Sequence, residues 1–139
     1  MPLATLKAVL VTIALVLGIG QALTQAQVRG FLHLLPFEKR TLVRFHRWEG
    51  RSLVALVLLI VGICLWVELG LGYTLYSLRL QAHAVLGSLL MLVLFVKVAI
   101  VQHYRQFLRH ALVIGATAGL LLLGTFFLSA VWYFLLEGA

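Results

Sequence analysis

Residues 52–67, 84–96 and 111–136 carry no Asp, Glu, Lys or Arg, and residues 8–28 form a fourth uncharged run broken by Gln21, Thr24, Gln25 and Gln27. That pattern restricts the fold more than any other feature. A backbone set in hydrocarbon must satisfy its own N–H and C=O groups, and runs of this length do so as helices. Hydrophobic residues make up 63% of the chain and the mean hydropathy is +1.11, more apolar surface than a soluble domain of 139 residues can bury. The expected fold is all-α, an integral-membrane antiparallel four-helix bundle in one domain. Its spans are placed at about 6–28, 46–71, 80–102 and 108–136, with a short interfacial helix within 30–40 carried by Phe31, Leu32, Leu34, Leu35 and Phe37. Lys7 ahead of an apolar run gives the first segment the look of a secretory signal, but it is read as a true span.

Eleven basic residues against four acids give a net charge of +7. Such an excess suits nucleic acid, but the apolar content argues for a bilayer as partner instead. Arg29, Lys39, Arg40, Arg44, Arg47 and Arg51 lie between spans one and two, and Arg105 and Arg109 lie between spans three and four. The other side holds Lys7 and Arg79. The positive-inside tendency then places both termini outside, in the periplasm of a bacterium, with the protein multi-pass in the inner membrane. Trp48 marks the inner boundary, and Trp66, Tyr73, Tyr76, Trp132 and Tyr133 mark the outer one. The lone Cys64 excludes an intrachain disulfide. Gly115 and Gly119 have the spacing of close helix contacts.

Antiparallel spans convert residue number into depth. His46, His103 and His110 fall near one level at the Arg-rich side, with His33 in the connection there, while His83 falls on the other side. His46 with His110, or with His103 in its place, has the disposition of two axial nitrogens on facing helices of a bundle. Gly50, one turn beyond His46, leaves room for a flat cofactor, and Arg47, Arg51 and Arg109 lie at a depth to pair with anionic propionates. Lys97 is expected to snorkel to the Arg-rich face. Glu68 is expected to meet Arg79 in an interfacial salt bridge, or else to contact His83.

The stretch FHRWEGR, residues 45–51, and the stretch QAHAVLG, residues 81–87, share a His-x-x-x-Gly pattern. It resembles the opening of haem-bearing helices in ferric-reductase-like and cytochrome b561-like membrane proteins. The resemblance implies that His46 and His83 ligate b-type haem, with Gly50 and Gly87 as small neighbours, and that the chain carries electrons. It departs from the reductase pattern in lacking a second histidine about thirteen residues along either helix. His83 then needs a ligand from another subunit, or holds a chlorophyll-type pigment, which takes one protein ligand, or ligates nothing.

The function expected from the sequence is therefore a haem-b-binding membrane electron-transfer subunit, exchanging electrons with a quinone or a partner redox protein. The alternative is a non-catalytic accessory or pigment-binding subunit of a larger complex. Other membrane subunits or further copies of the chain are the expected partners. The absence of aspartate and of any nucleotide-binding motif argues against a self-sufficient enzyme.

Overall fold

The computed structural model describes residues 3–71 and 77–137. Four long helices form: α1 (Leu3–Val28), α2 (Lys39–Leu71), α3 (Leu78–His103) and α4 (Ala111–Phe126). A 3₁₀ turn over Arg105–His110 leads into α4, and π-helical turns over Phe127–Val131 and Tyr133–Glu137 extend it. All four segments are long and apolar enough to cross a membrane, with mean hydropathy between 2.2 and 2.7 in their most apolar windows. Tyr73 and Tyr76, two of the expected boundary aromatics, lie outside the described residues, as does the side chain of Glu68.

The helices run antiparallel to their sequence neighbours. α1 lies along α2 and also along α4, α3 lies along α4, and α2 meets α3 sparsely. Leu53 and Val57 of α2, Leu90 and Leu94 of α3, Ala118 and Leu122 of α4 and Ala14 of α1 make the central core. Ala8, Val11 and Ala130 form a second small core towards the chain termini. Thr5 and Tyr133 hydrogen-bond through their hydroxyls at 2.6 Å beside it. Most large apolar side chains point outward instead: Val16 is 63% exposed, Trp66 81% and Leu120 71%. In water such a surface would drive aggregation, whereas in hydrocarbon it costs nothing.

α1 stops where the sequence supplies Gly30. Its φ of +81° is in the left-handed region, and the N–H groups of Gly30 and Phe31 return to the carbonyls of Gln27 and Ala26 at 3.0 and 2.9 Å. This is the Schellman arrangement, which closes the orphan carbonyls of a helix end. The short helix expected within 30–40 does not form: residues 31–38 are irregular, and α2 begins at Lys39. The reason is local. The Gln27 carboxamide accepts from Leu35 N at 3.0 Å and donates to Leu35 O, and Pro36 follows immediately. A side chain thus takes up the backbone groups that a helical turn would have used.

At the opposite end, Ser77 caps α3 by accepting from Leu80 N at 3.2 Å. Arg79 donates to the Leu128 carbonyl at 3.1 Å and sits 5.0 Å from the centre of the Trp132 ring. The Ser129 and Thr125 hydroxyls donate to carbonyls one turn earlier in the same helix, Ser129 to Thr125 O at 2.6 Å and Thr125 to Leu121 O at 3.1 Å. Hydroxyls and a guanidinium competing for these carbonyls account for the widening of the last turns to π geometry.

Two glycines separate backbone strain from space. Gly30 has open space around a would-be Cβ but a left-handed backbone, so Gly30→Ala is expected to lower stability by about 1–2 kcal/mol. Gly87 is helical with nothing near it, so Gly87→Ala is expected to be neutral or to raise stability by up to about 1 kcal/mol. Thermal unfolding of the two purified variants in one detergent checks both signs.

Candidate functional site

Polar side chains from three helices meet inside the bundle near its Arg-rich end. On α1, Gln21 and Thr24 are three apart and share a face; on α2, so do His46 and Glu49. Both α1 residues are buried, and Thr24 is 2% and Glu49 5% exposed. The Thr24 hydroxyl is the hub. It lies 3.0 Å from Glu49 Oε2 and 3.0 Å from His46 Nδ1, and also approaches the carbonyls of Gly20 and Gln21 at 2.9 and 3.1 Å. From α3, Lys97 Nζ donates to Gln21 Oε1 at 3.0 Å, and Gln21 Nε2 donates in turn to the His46 carbonyl at 3.1 Å.

Small residues make this possible. The space that a side chain at Gly20 would fill is occupied by the Glu49 carboxylate. A Cβ at Gly50 would lie 2.5 Å from Gln21 Nε2. On α4, a Cβ at Gly115 would meet Gln25 Oε1 at 3.4 Å. The glycines at 20 and 50 therefore admit two polar side chains between α1 and α2, each seated against the other helix's backbone.

With Glu49 ionised, the donors assign the imidazole tautomer. Thr24 has one proton to give, and an ionised carboxylate is the strongest acceptor within reach. With that proton on the Glu49 side, His46 Nδ1 must be the N–H that donates to Thr24 Oγ. Nε2 then carries the lone pair. A half-buried imidazole is thus held in one orientation by a hydroxyl and a carboxylate behind it, the manner in which ligand and catalytic histidines are commonly oriented.

The other expected residues fall elsewhere. His103 and His110 are exposed, and His110 Nε2 accepts from Arg109 Nε at 3.0 Å in the turn before α4. Neither ring contacts His46 among the described residues. His83 is half-buried and shares the inward face of α3 with Leu90, Leu94 and Lys97, at the end away from His46. Arg47 and Arg51 are exposed on the side of α2 opposite Leu42, Glu49 and Leu53. The room beside Gly50 is filled by Gln21, and Gly87 borders open space. Lys97 turns inward to Gln21 instead of snorkelling, because α3 presents it on the same face as the core leucines. Among the described residues no group of three or more His, Cys, Asp or Glu could hold a metal ion.

Gln21, Thr24 and Glu49 are the residues that a search for histidine pairs passes over. Their signal is present in the sequence: polar positions three apart on each of two adjacent helices, with a glycine next to Gln21 and another next to Glu49.

Over residues 2–139 the chain matches the model of a family of unknown function (DUF6529), and it belongs to that family. No curated protein and no solved structure matches it.

The hub makes a specific demand. Thr24→Val keeps shape but strands a buried carboxylate and a ring nitrogen, and is expected to cost about 2 kcal/mol or more, while Thr24→Ser costs far less. Combining Thr24→Val with Glu49→Gln should cost less than the two single changes summed, read from thermal midpoints in a double-mutant cycle.

Proposed function

We propose that this protein is a multi-pass membrane subunit that loads a proton from its Arg-rich side and holds it inside the helix bundle for a redox partner. The observation that carries this reading is the Thr24 hydroxyl placed 3.0 Å from both Glu49 Oε2 and His46 Nδ1. Ionisable groups set among membrane-spanning helices are costly and mark proton and ion pathways. The arginine distribution favours an orientation with that side in the cytoplasm and both termini outside.

The relay works by reversing its hydrogen bonds. In the resting sense, His46 Nδ1–H donates to Thr24, and Thr24 O–H donates to the Glu49 carboxylate. A proton arriving on His46 Nε2 makes an imidazolium. The Nδ1 proton then passes to the Thr24 oxygen as the Thr24 proton passes to Glu49. The result is a neutral imidazole protonated on Nε2 and a neutral carboxylic acid, with one proton gained and none lost. Lys97 is joined to the same cluster through its hydrogen bond to Gln21. Leu53, Val57, Leu90 and Leu94 close the bundle beyond the cluster, so loading is one-sided.

A second reading is favoured by the orientation of His46. Its Nδ1 is engaged and Nε2 carries the lone pair, so it suits one axial position of a b-type haem, which would supply one-electron chemistry. The fit is incomplete. His103 and His110 do not join His46, Arg47 and Arg51 face away from it, and Gln21 fills the space beside Gly50. Haem binding on this chain therefore requires a second ligand from another subunit or a second copy.

Infrared spectroscopy of the membrane-reconstituted protein tests the first reading. A protonated-carboxyl band that disappears in Glu49→Gln should grow on acidification in wild type and in Thr24→Ser. It should grow much more slowly after a pH jump in Thr24→Val. Equal rates in all three, or no Glu49 band at any pH where the protein stays folded, reject the relay. An absorption spectrum of the same sample addresses the second reading: a Soret band lost in His46→Ala establishes haem ligation, and a colourless intact protein rejects it.

A further inference from the structure

Arg40, Arg44, Arg47 and Arg51 follow one another at intervals of four, three and four residues on α2. At 3.6 residues per turn they fall within a stripe about 60° wide and about 16 Å long. Leu42, Glu49 and Leu53 occupy the opposite side of the same helix and face the bundle. The stripe therefore points away from the protein's own core. With Lys39, Val43 and Trp48 the four arginines line an open cleft of about 790 Å³. All four are exposed, and among the described residues no carboxylate pairs with any of them.

Depth decides what can fill such a cleft. α2 has 33 residues and is about 50 Å long, whereas a hydrocarbon core about 30 Å thick takes about 20 of them. The uncharged run begins at Ser52, so the turns from Lys39 to Arg51 stand in the headgroup layer and just beyond. Phe45 and Trp48 lie together along one edge of the stripe, both exposed, with ring centroids 6.3 Å apart and planes at 26°. Aromatic rings beside arginines at this depth are the equipment of a membrane interface. Guanidinium groups bind phosphate in a bidentate manner, and arginines four apart can grip one phosphate between them.

We infer that the outward stripe Arg40–Arg44–Arg47–Arg51 is a binding site for the phosphodiester headgroup of an anionic phospholipid. Arg40 with Arg44, and Arg47 with Arg51, form two clamps stacked along the helix, so the stripe accommodates two phosphates. The ring of Trp48, one turn from Ser52, borders the acyl chains where they leave the headgroup. Choice of lipid follows from charge: the site offers five cations, Lys39 included, and a zwitterionic headgroup returns a positive charge to it. The inference rests on the membrane-embedded reading above and is independent of the relay.

Native mass spectrometry of the full chain tests it, after release from nanodiscs of equal parts phosphatidylglycerol and phosphatidylcholine. Wild type should retain phosphatidylglycerol in clear excess over its share. The triple variant R44Q/R47Q/R51Q should lose that excess, its apparent affinity falling roughly a hundredfold at about 1 kcal/mol per arginine. Arg29→Gln, outside the stripe, should behave as wild type. Retained lipid that mirrors the bulk composition in wild type overturns the inference without any variant. So does a triple variant that keeps the preference, and so does inorganic pyrophosphate binding at the stripe as tightly as the lipid. A chain that does not enter nanodiscs at all rejects the membrane reading itself, a result distinguishable from loss of lipid choice.

Discussion

A carboxylate set among apolar helices is the constraint around which the Arg-rich half of this bundle is arranged. Glu49 is almost wholly buried, and leaving it without partners would cost several kcal/mol. The chain answers with one hydroxyl and an absent side chain. Thr24 donates to one carboxylate oxygen, and the missing side chain at Gly20 gives the other oxygen a place to lie. Both contacts come from α1, so the register between α1 and α2 is set by polar chemistry at one end and by small residues elsewhere. The same Thr24 oxygen then orients His46. The orientation of the imidazole is thus a consequence of satisfying Glu49, and the two residues cannot be altered independently.

The fold was legible in the sequence because hydropathy over long windows is a strong signal, and four uncharged runs left few arrangements open. The ends were less legible. Residues 31–38 carry the composition of an interfacial helix, yet Gln27 engages Leu35 across the turn at Gly30. A side-chain contact eight residues along the chain, made after a left-handed turn, leaves no trace in local periodicity. In the same way Arg79, a residue of another helix, engages the Leu128 carbonyl within the widened turn Phe127–Val131.

The candidate site was only half legible, and the reason is angular. Conversion of residue number to depth placed His46 and the arginines correctly at one end but ignored where each points around its helix. Arg47 is next to His46 in sequence and therefore about 100° away around the axis, which suffices to send it to the outer surface. His103 lies six residues beyond Lys97 and falls on the far side of α3 from it, so one reaches Gln21 while the other is exposed. Phase would also have drawn attention to Glu49, which shares the face of His46, and to Gln21 and Thr24 opposite. Gln21 and Thr24 interrupt the apolar run of α1, but their spacing makes them one polar surface.

The two ends of the molecule are electrically separate. Along the inward face of α3, His83 lies at one end and Lys97 at the other, about 20 Å apart at 1.5 Å per residue. Leu90 and Leu94 lie between them and pack against Leu53 and Val57 of α2. The side chains of this cluster are hydrocarbon and themselves offer a proton no donor or acceptor. Under the proposed relay, a proton placed on Glu49 returns towards the Arg-rich side, and this hydrocarbon layer would couple proton binding at one level to charge that moves by a different route.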